Sequence, residues 1–322
     1  MNLLLAVDDS TYSKAAAEFL QRIQFPAGSA LYLLHVNPLD EWLRLGTSGR
    51  SLRMVEQISR IRAEAATRME HVLNQMEETF RSHSSLSVHS LVTDGSPGAE
   101  ILRTITEQQI DLVVLGTRGL SHISGFLLGS VSEWVLNEAP CSVLIVRGKA
   151  RPQKSTAGMK ILIATDGSSD AQEGVAFVRK IDFPTSTVLT LLHIVRKKVH
   201  QTAQLLTTNR AQVDEFMKLA EDLLQARGRE GAILLEETRK VLSRPELKIV
   251  ENLAFGHEAE EILKASQRIR ADLVVMGSKG LTGLRRILLG SVSQKVARYA
   301  KCSVLVVRQK LHSNIGNEPK TP

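Results

Sequence analysis

The sequence predicts an α/β protein built from two doubly wound, five-stranded parallel-sheet domains. Short apolar runs alternate with longer amphipathic stretches along the whole chain, the pattern of strands and crossover helices around a sheet covered on both faces. The alternation occurs twice. Met1-Asn-Leu-Leu-Leu-Ala-Val-Asp8 aligns with Met159-Lys-Ile-Leu-Ile-Ala-Thr-Asp166, Phe25-Pro26 with Phe183-Pro184, and Leu33-Leu34-His35-Val36 with Leu191-Leu192-His193-Ile194. A glycine-rich stretch also recurs: Gly116-Thr-Arg-Gly119, nine residues, then Gly129-Ser130-Val131-Ser132, and Gly277-Ser-Lys-Gly280, nine residues, then Gly290-Ser291-Val292-Ser293. A repeat of about 160 residues is a domain duplication, since solenoid repeats run about 20–50 residues. Each copy has the length of an ordinary domain with its own core.

In the first copy, residues 3–7 form an apolar run that suits a buried strand, and 12–23 carry helical spacing at Ala16, Phe19, Leu20 and Ile23. A second strand is expected at 30–36. A long helix over 53–80 follows from Val55, Ile58, Ile61, Ala65, Met69, Val72 and Met76. A third strand at 86–92 runs into the turn Asp94-Gly95-Ser96-Pro97-Gly98, then a helix at 99–109, a strand at 111–115, a helix at 130–138 and a last strand at 142–147. The second copy repeats the order at 160–164, 169–181, 187–195, 209–243, 247–253, 258–269, 272–276, 291–300 and 303–307. Gly228 and Gly231 lie inside its long helical stretch, where glycine is unfavourable, so a break is expected there.

The domains are read as 1–147 and 159–308, with a Pro-, Gly- and Lys/Arg-bearing linker at 148–158 and a polar tail at 309–322. The predicted strand order is 3-2-1-4-5, with right-handed crossovers. The last strands, Ser142–Arg147 and Ser303–Arg308, then lie at sheet edges, where an apolar strand invites pairing. The two copies are therefore expected to join through them as a pseudo-twofold dimer within one chain, and homodimerisation is compatible with this plan.

Net charge is +7 and unevenly placed: residues 1–147 hold 12 basic and 16 acidic side chains, residues 161–322 hold 25 and 18. The charges lie mostly in helical stretches mixed with Glu, which reads as solvated helix faces. Aromatic residues form 4% of the chain, too few to interleave with the basic excess as single-strand stacking platforms require, so no specific nucleic-acid partner is expected. No apolar run reaches the roughly 18 residues of a membrane span. The opening passes directly from MNLLLAV into Asp8-Asp9, unlike a signal peptide, and the expected location is cytoplasmic. Cys141 and Cys302 sit at matching places before apolar strands and read as buried, unpaired thiols.

In the predicted order, strands 1 and 4 lie side by side where the winding reverses, and ligands of such sheets bind beyond the strands' carboxyl ends. Asp8 or Asp166 follows strand 1, and Gly116 or Gly277 follows strand 4. Glycines let backbone approach closely, and free N–H groups at a helix start attract anions, so each crevice can cradle phosphate.

This pattern resembles the universal stress protein family in tandem form, over the whole chain except linker and tail. The resemblance implies an adenine-nucleotide α-hydrolase-like fold with ATP or AMP in the crevice. It implies that Ala6, Val7 and Asp8, and Ala164, Thr165 and Asp166, line the adenosine. Val36 and Ile194 would pack on the adenine, with Leu115, Gly116, Met276 and Gly277 bordering ribose and phosphates. Arg118, Gly119, Lys279 and Gly280 would approach the phosphates. Gly129, Ser130, Val131 and Ser132, with Gly290, Ser291, Val292 and Ser293, would donate to them. Mg²⁺ is the metal a carboxylate such as Asp166 would hold beside phosphates.

Other roles compete for several of these residues. Asp8, Asp166, Ser130 and Ser291 suit helix capping as well as ligand contact. Arg118 and Lys279 suit solvated loop charges, and His35 and His193 suit satisfied histidines at the rim of the core better than bases. The copies differ: the glycine that the family places after the aspartate is Gly167 in the second copy but Asp9 in the first, where a second carboxylate repels phosphate. The first loop carries His122, whereas Arg285 and Arg286 add charge to the second, which is therefore the expected tighter site. No P-loop, dinucleotide G-x-G-x-x-G after strand 1, Ser-His-Asp, HExxH or Cys/His metal spacing occurs. The resulting expectation is a nucleotide-dependent binding and signalling module of the stress response with a protein partner yet to be identified. The alternatives are a slow ATPase, and a protein whose pockets serve another small ligand or interaction.

Overall fold

The structure is a computed structural model that describes residues 1–38, 52–81, 86–117, 128–148, 158–196, 210–280 and 289–309. The first copy comprises β1 (Asn2–Ala6), α1 (Thr11–Gln21), β2 (Ser29–Asn37), α2 (Leu52–Arg81), β3 (Leu86–Asp94), α3 (Pro97–Glu107), β4 (Leu112–Gly116), α4 (Ser130–Glu138) and β5 (Ser142–Val146). The second comprises β6 (Lys160–Ala164), α5 (Ser169–Lys180), β7 (Val188–Arg196), α6 (Arg210–Leu242), β8 (Lys248–Gly256), α7 (Glu258–Ile269), β9 (Leu273–Gly277), α8 (Ser291–Tyr299) and β10 (Ser303–Val307).

The strands form one ten-stranded sheet in the order β3-β2-β1-β4-β5-β10-β9-β6-β7-β8, so the predicted 3-2-1-4-5 order occurs twice, mirrored about the centre. Pairing is parallel within each copy. At the centre β5 and β10 are antiparallel, in the register Val304↔Ile145, Leu305↔Leu144 and Val306↔Val143. The two apolar edges thus bury one another, as the edge argument requires. A second cross-copy contact obeys the same twofold: Gln24 and Asp182, equivalent residues, exchange backbone hydrogen bonds of 2.9 Å each. β3 and β8 run farther than expected because they stay in register with their neighbours to the last pairs, Asn37↔Asp94 and Arg196↔Gly256.

Alternation along the strands sends Leu3, Leu5, Leu112, Val114, Ile161, Ile163 and Val275 to one apolar layer. Leu4, Val113, Leu115, Leu162, Val274 and Met276 go to the other. Each layer contains residues of both copies, so the cores are continuous across the pseudo-twofold.

The expected break in the long second-copy helix is absent: α6 is continuous over its 33 residues. Its glycines serve approach to the sheet instead. A Cβ at Gly231 would lie 2.5 Å from Cδ2 of His193 and 2.9 Å from Cδ1 of Leu253, whereas one at Gly228 would meet Phe255 Cζ at 3.4 Å, an ordinary contact. Gly231→Val is therefore expected to cost about 1–3 kcal/mol of stability by overpacking. Gly228→Ala should instead be neutral or stabilising by up to about 1 kcal/mol through helix propensity. Urea unfolding of the two variants measures the contrast.

Both cysteines are free, as expected, but only Cys141 is buried; Cys302 is partly exposed, which corrects the expectation that it is buried. Burial pushes the Cys141 thiol up to about 12 and the Cys302 thiol up to about 11. A raised thiol pKa leaves almost no thiolate at pH 8, and thiolate is the reactive form. A disulfide reagent at pH 8 should therefore label the native chain slowly, Cys302 before Cys141, and label both promptly in denaturant. The same shifts remove stability as pH rises above about 9, where thiols of the unfolded chain ionise and those of the folded chain do not.

Candidate functional site

β1 pairs with β4, and β6 with β9, so the ends of these strands open two crevices at the points where the winding reverses. The chain follows its neighbour one residue beyond each first strand: Val7 N donates to Leu34 O at 2.8 Å and Thr165 N to Leu192 O at 3.0 Å. The carbonyls of Val7 and Thr165 accept from Nδ1 of His35 and His193, both at 2.9 Å. These histidines anchor the turns through Nδ1.

The aspartates come next. Asp8 Oδ1 accepts from Ser10 N at 3.2 Å and Ser10 Oγ at 2.5 Å, and Asp166 Oδ1 accepts from Ser168 N at 3.0 Å. The helix caps are the serines: Ser10 Oγ accepts from Ser13 N at 3.2 Å and Ser168 Oγ from Ala171 N at 3.3 Å. The capping alternative for Asp8 and Asp166 is thereby corrected, because a turn stabilised by each carboxylate places a serine at the N-cap two residues on. The turns differ as their sequences do. Gly167 has φ +78°, and among the described residues left-handed backbone at non-glycines occurs at Gln109, Ser186 and Arg270, not at Asp9. Asp9 instead pairs with Lys14 at 3.1 Å on the surface.

The glycine loops are built from the strand ends outward. A Cβ at Gly116 would lie 2.9 Å from the Tyr12 carbonyl carbon, and one at Gly277 would lie 2.7 Å and 2.8 Å from backbone atoms of Asp170 and Ala171. The first glycine of each loop is therefore demanded by the helix that crosses the strand end. Gly129 N donates to Thr117 O at 2.6 Å and Gly290 N to Ser278 O at 2.7 Å, closing each loop at its neck. Ser132 Oγ donates to Gly116 O at 2.7 Å and Ser293 Oγ to Gly277 O at 2.8 Å.

These bonds engage part of the expected donor set within the protein. The N–H groups of Gly129 and Gly290 and the hydroxyls of Ser132 and Ser293 are spent inside the protein, because they fasten helix to strand. The N-caps of α4 and α8 are Gly129 and Gly290, so Ser130 and Ser291 are not caps, and no side chain among the described residues caps either helix. The first-turn N–H groups and the exposed Ser130 and Ser291 hydroxyls remain as anion donors. The first turn of α4 contains Glu133, whereas the equivalent residue in α8 is Gln294, so α8 offers an anion the more favourable field.

Among the described residues, the second crevice carries further hydrogen bonds. Asp170 Oδ2 accepts from Ser278 Oγ at 2.5 Å and Lys279 N at 3.0 Å, and Ser168 Oγ donates to Lys279 O at 3.4 Å. Asp166 reaches the same loop: a Cβ at Gly280 would lie 2.7 Å from Asp166 Oδ2. The carboxylate after β6 and the Gly-x-x-Gly after β9, far apart in sequence, are in contact. Asp170 was missed by sequence reasoning, and the available signal was its mismatch with the first copy, which has Tyr12 there. Leu115, Met276 and Val36 are buried and Ile194 packs against the same apolar layer. Ala6 and Ala164 close strands β1 and β6 with small side chains. Arg118, Gly119, His122, Arg285 and Arg286 lie outside the described residues. Among the described residues no group of three or more His, Cys, Asp or Glu could hold a metal ion.

This architecture defines a duplicated, doubly wound α/β protein with a crevice at the winding reversal of each half. The sequence profile of the universal stress protein family matches residues 1–147 and 159–308, and the chain belongs to that family. It is 25% identical over 316 residues to universal stress protein Rv2623 of Mycobacterium tuberculosis, covering 97% of each chain. It is 30% identical to universal stress protein YxiE of Bacillus subtilis over 149 residues, 46% of this chain and 98% of that one. Among solved structures, a universal stress protein from Archaeoglobus fulgidus superposes with a TM-score of 0.54 at 20% identity, covering 96% of both chains.

Proposed function

We propose that the protein binds ATP or AMP and acts in the cytoplasm as a nucleotide-dependent binding module of the stress response. The observation that carries this reading is the contact of Asp166 with the Gly277–Gly280 loop beside the uncapped start of α8. A carboxylate that can accept from ribose hydroxyls and a helix start that can donate to phosphates then face one ligand. Ala164, Thr165 and Ile194 line the adenosine end in this reading, and Lys279, Ser291 and Val292 the phosphate end. The first crevice holds the equivalent residues Ala6, Val7, Asp8, Val36, Ser130 and Val131, and binds more weakly because of Glu133. Asp166 is the carboxylate available to Mg²⁺ beside the phosphates, with the remaining ligands supplied by phosphate and water.

Catalysis is not part of the proposal. His35 and His193 are committed to backbone carbonyls through Nδ1, and phosphoryl transfer needs a positioned base or water-orienting group. Ligand would bias the glycine loops and so the surface offered to a protein partner. Ligand-dependent thermal stability and single-turnover hydrolysis test the reading together. ATP and AMP at about 100 times Kd should each stabilise the chain by about 2.7 kcal/mol, with γ-phosphate release absent on the binding timescale. A melting curve unmoved by either nucleotide at millimolar concentration would contradict binding, and a stoichiometric burst of phosphate lost in Asp166→Ala would establish an enzyme instead. No helix among the described residues is long and apolar enough to cross a membrane.

A further inference from the structure

Arg147 and Arg308 are equivalent residues, each immediately beyond the last strand of its copy. Because β5 and β10 run antiparallel at the centre of the sheet, each arginine emerges over the other copy. Arg308 Nη2 donates to Leu136 O at 2.5 Å and Asn137 O at 3.4 Å, carbonyls in the last turn of α4. Arg147 Nη2 donates to Ala297 O and, at 3.2 Å, to Arg298 O, carbonyls in the last turn of α8. The backbone locks the same register: Arg308 N donates to Ser142 Oγ at 3.3 Å and Arg147 N to Ser303 Oγ at 3.2 Å.

We propose that these arginines are cross-copy positioning residues. Arg308 sets the helix that receives phosphate in the first crevice, and Arg147 sets the corresponding helix in the second. The inference rests on the nucleotide reading above and adds that neither crevice is complete without the other copy.

The geometry supports it at both ends of each helix. α4 has nine residues, so it is about 13 Å long at about 1.5 Å per residue. Its start is pinned by Gly129 N to Thr117 O and by Ser132 Oγ to Gly116 O. Its end is held by Arg308, a residue only 7% exposed. Nε and Nη1 of Arg308 are buried and find no hydrogen-bond acceptor among the described residues, whereas Nη2 donates to the carbonyls of α4 and the backbone N–H donates to Ser142. The last carbonyls of a helix carry about half a negative charge, and a cation placed there strengthens the helix while leaving the positive N-terminal end for an anion. α8 repeats the plan, with Gly290 N on Ser278 O, Ser293 Oγ on Gly277 O and Arg147 at its end. A loose helix end lets the first-turn N–H groups drift from the phosphates, and charge-assisted bonds weaken with misalignment.

The test uses the full chain with one crevice weakened at a time, the sites being resolved by titration. Ser291→Asp places a carboxylate at the start of α8 and leaves the first crevice to be read; Ser130→Asp does the reverse. In the S291D background, Arg308→Ala is expected to weaken ATP binding about five- to tenfold, the size of a helix-end charge effect or a modest coupling, while Arg147→Ala changes it less than about twofold. In the S130D background the pattern should cross over. Arg308→Lys, which keeps the charge but loses the planar fork, should restore part of the loss and serves in place of the alanine variant if that fails to fold. A purely structural role lowers melting temperature for both arginines without the crossing. Equal losses at both crevices, losses confined to the arginine's own copy, or no loss overturn the proposal. An unsubstituted chain that binds no ATP sinks the nucleotide reading itself, which this control titration separates from failure of the arginine coupling.

Discussion

Ser291→Asp is expected to lower the affinity for ATP by at least about tenfold, the largest effect of any single surface change, while leaving unfolding free energy unchanged or slightly raised. The new carboxylate would stand in the first turn of α8, where acids favour the helix and oppose a bound phosphate. Like charges about 4 Å apart repel by about 4 kcal/mol near a protein surface before salt screening, and about 1.4 kcal/mol is already tenfold in Kd. The equivalent Ser130→Asp should lose less, because Glu133 already burdens the first turn of α4. Paired calorimetric titrations of the two variants, with urea unfolding as the control, check both the sign and the order. Equal losses would contradict the ranking of the two crevices.

Gly277→Ala is expected to destabilise the chain by about 3 kcal/mol. Its Cβ would meet backbone atoms of Asp170 and Ala171 at 2.7 and 2.8 Å, so neither neighbour can rotate away and β9 must separate from α5. Gly280→Ala offers the contrast: among the described residues its Cβ would meet only the Asp166 carboxylate, at 2.7 Å, and Gly280 is exposed. That variant should unfold nearly as the parent does yet bind nucleotide more weakly, because it displaces the carboxylate of the crevice. Urea midpoints separate the two glycines: the first serves the fold, the second the site. A Gly277→Ala chain as stable as the parent would show that the strand end and helix are not tightly fitted.

Much of this arrangement was legible because apolar runs, turn glycines and a duplicated pattern act locally. Buried strands such as Leu3–Leu5 and Val113–Leu115 announce themselves by composition, and the apolar last strands imply the central pairing of β5 with β10. What sequence reasoning misjudged depends on contacts that no local pattern encodes. Gly231 looked like a helix breaker because its reason, the nearness of His193 and Leu253, lies on two other strands. The bonds of Ser132 and Ser293 to the carbonyls of Gly116 and Gly277 were not legible either, because those carbonyls stand sixteen residues away. Asp170 and the two arginines carried no motif, and their roles arise only when α5 meets β9 and when β5 meets β10. Those parts of the site come from tertiary geometry.

In the proposed complex, adenine nucleotide occupies the Asp166 crevice with its phosphates at the start of α8. Isothermal titration of the full chain and of Asp166→Ala with ATP and with AMP tests it most directly. Saturable binding to the parent chain is expected, with a loss of at least about tenfold, roughly 1.4 kcal/mol, at the stronger site of the variant. Absence of binding at millimolar nucleotide, or a stronger site unchanged by Asp166→Ala, would contradict it.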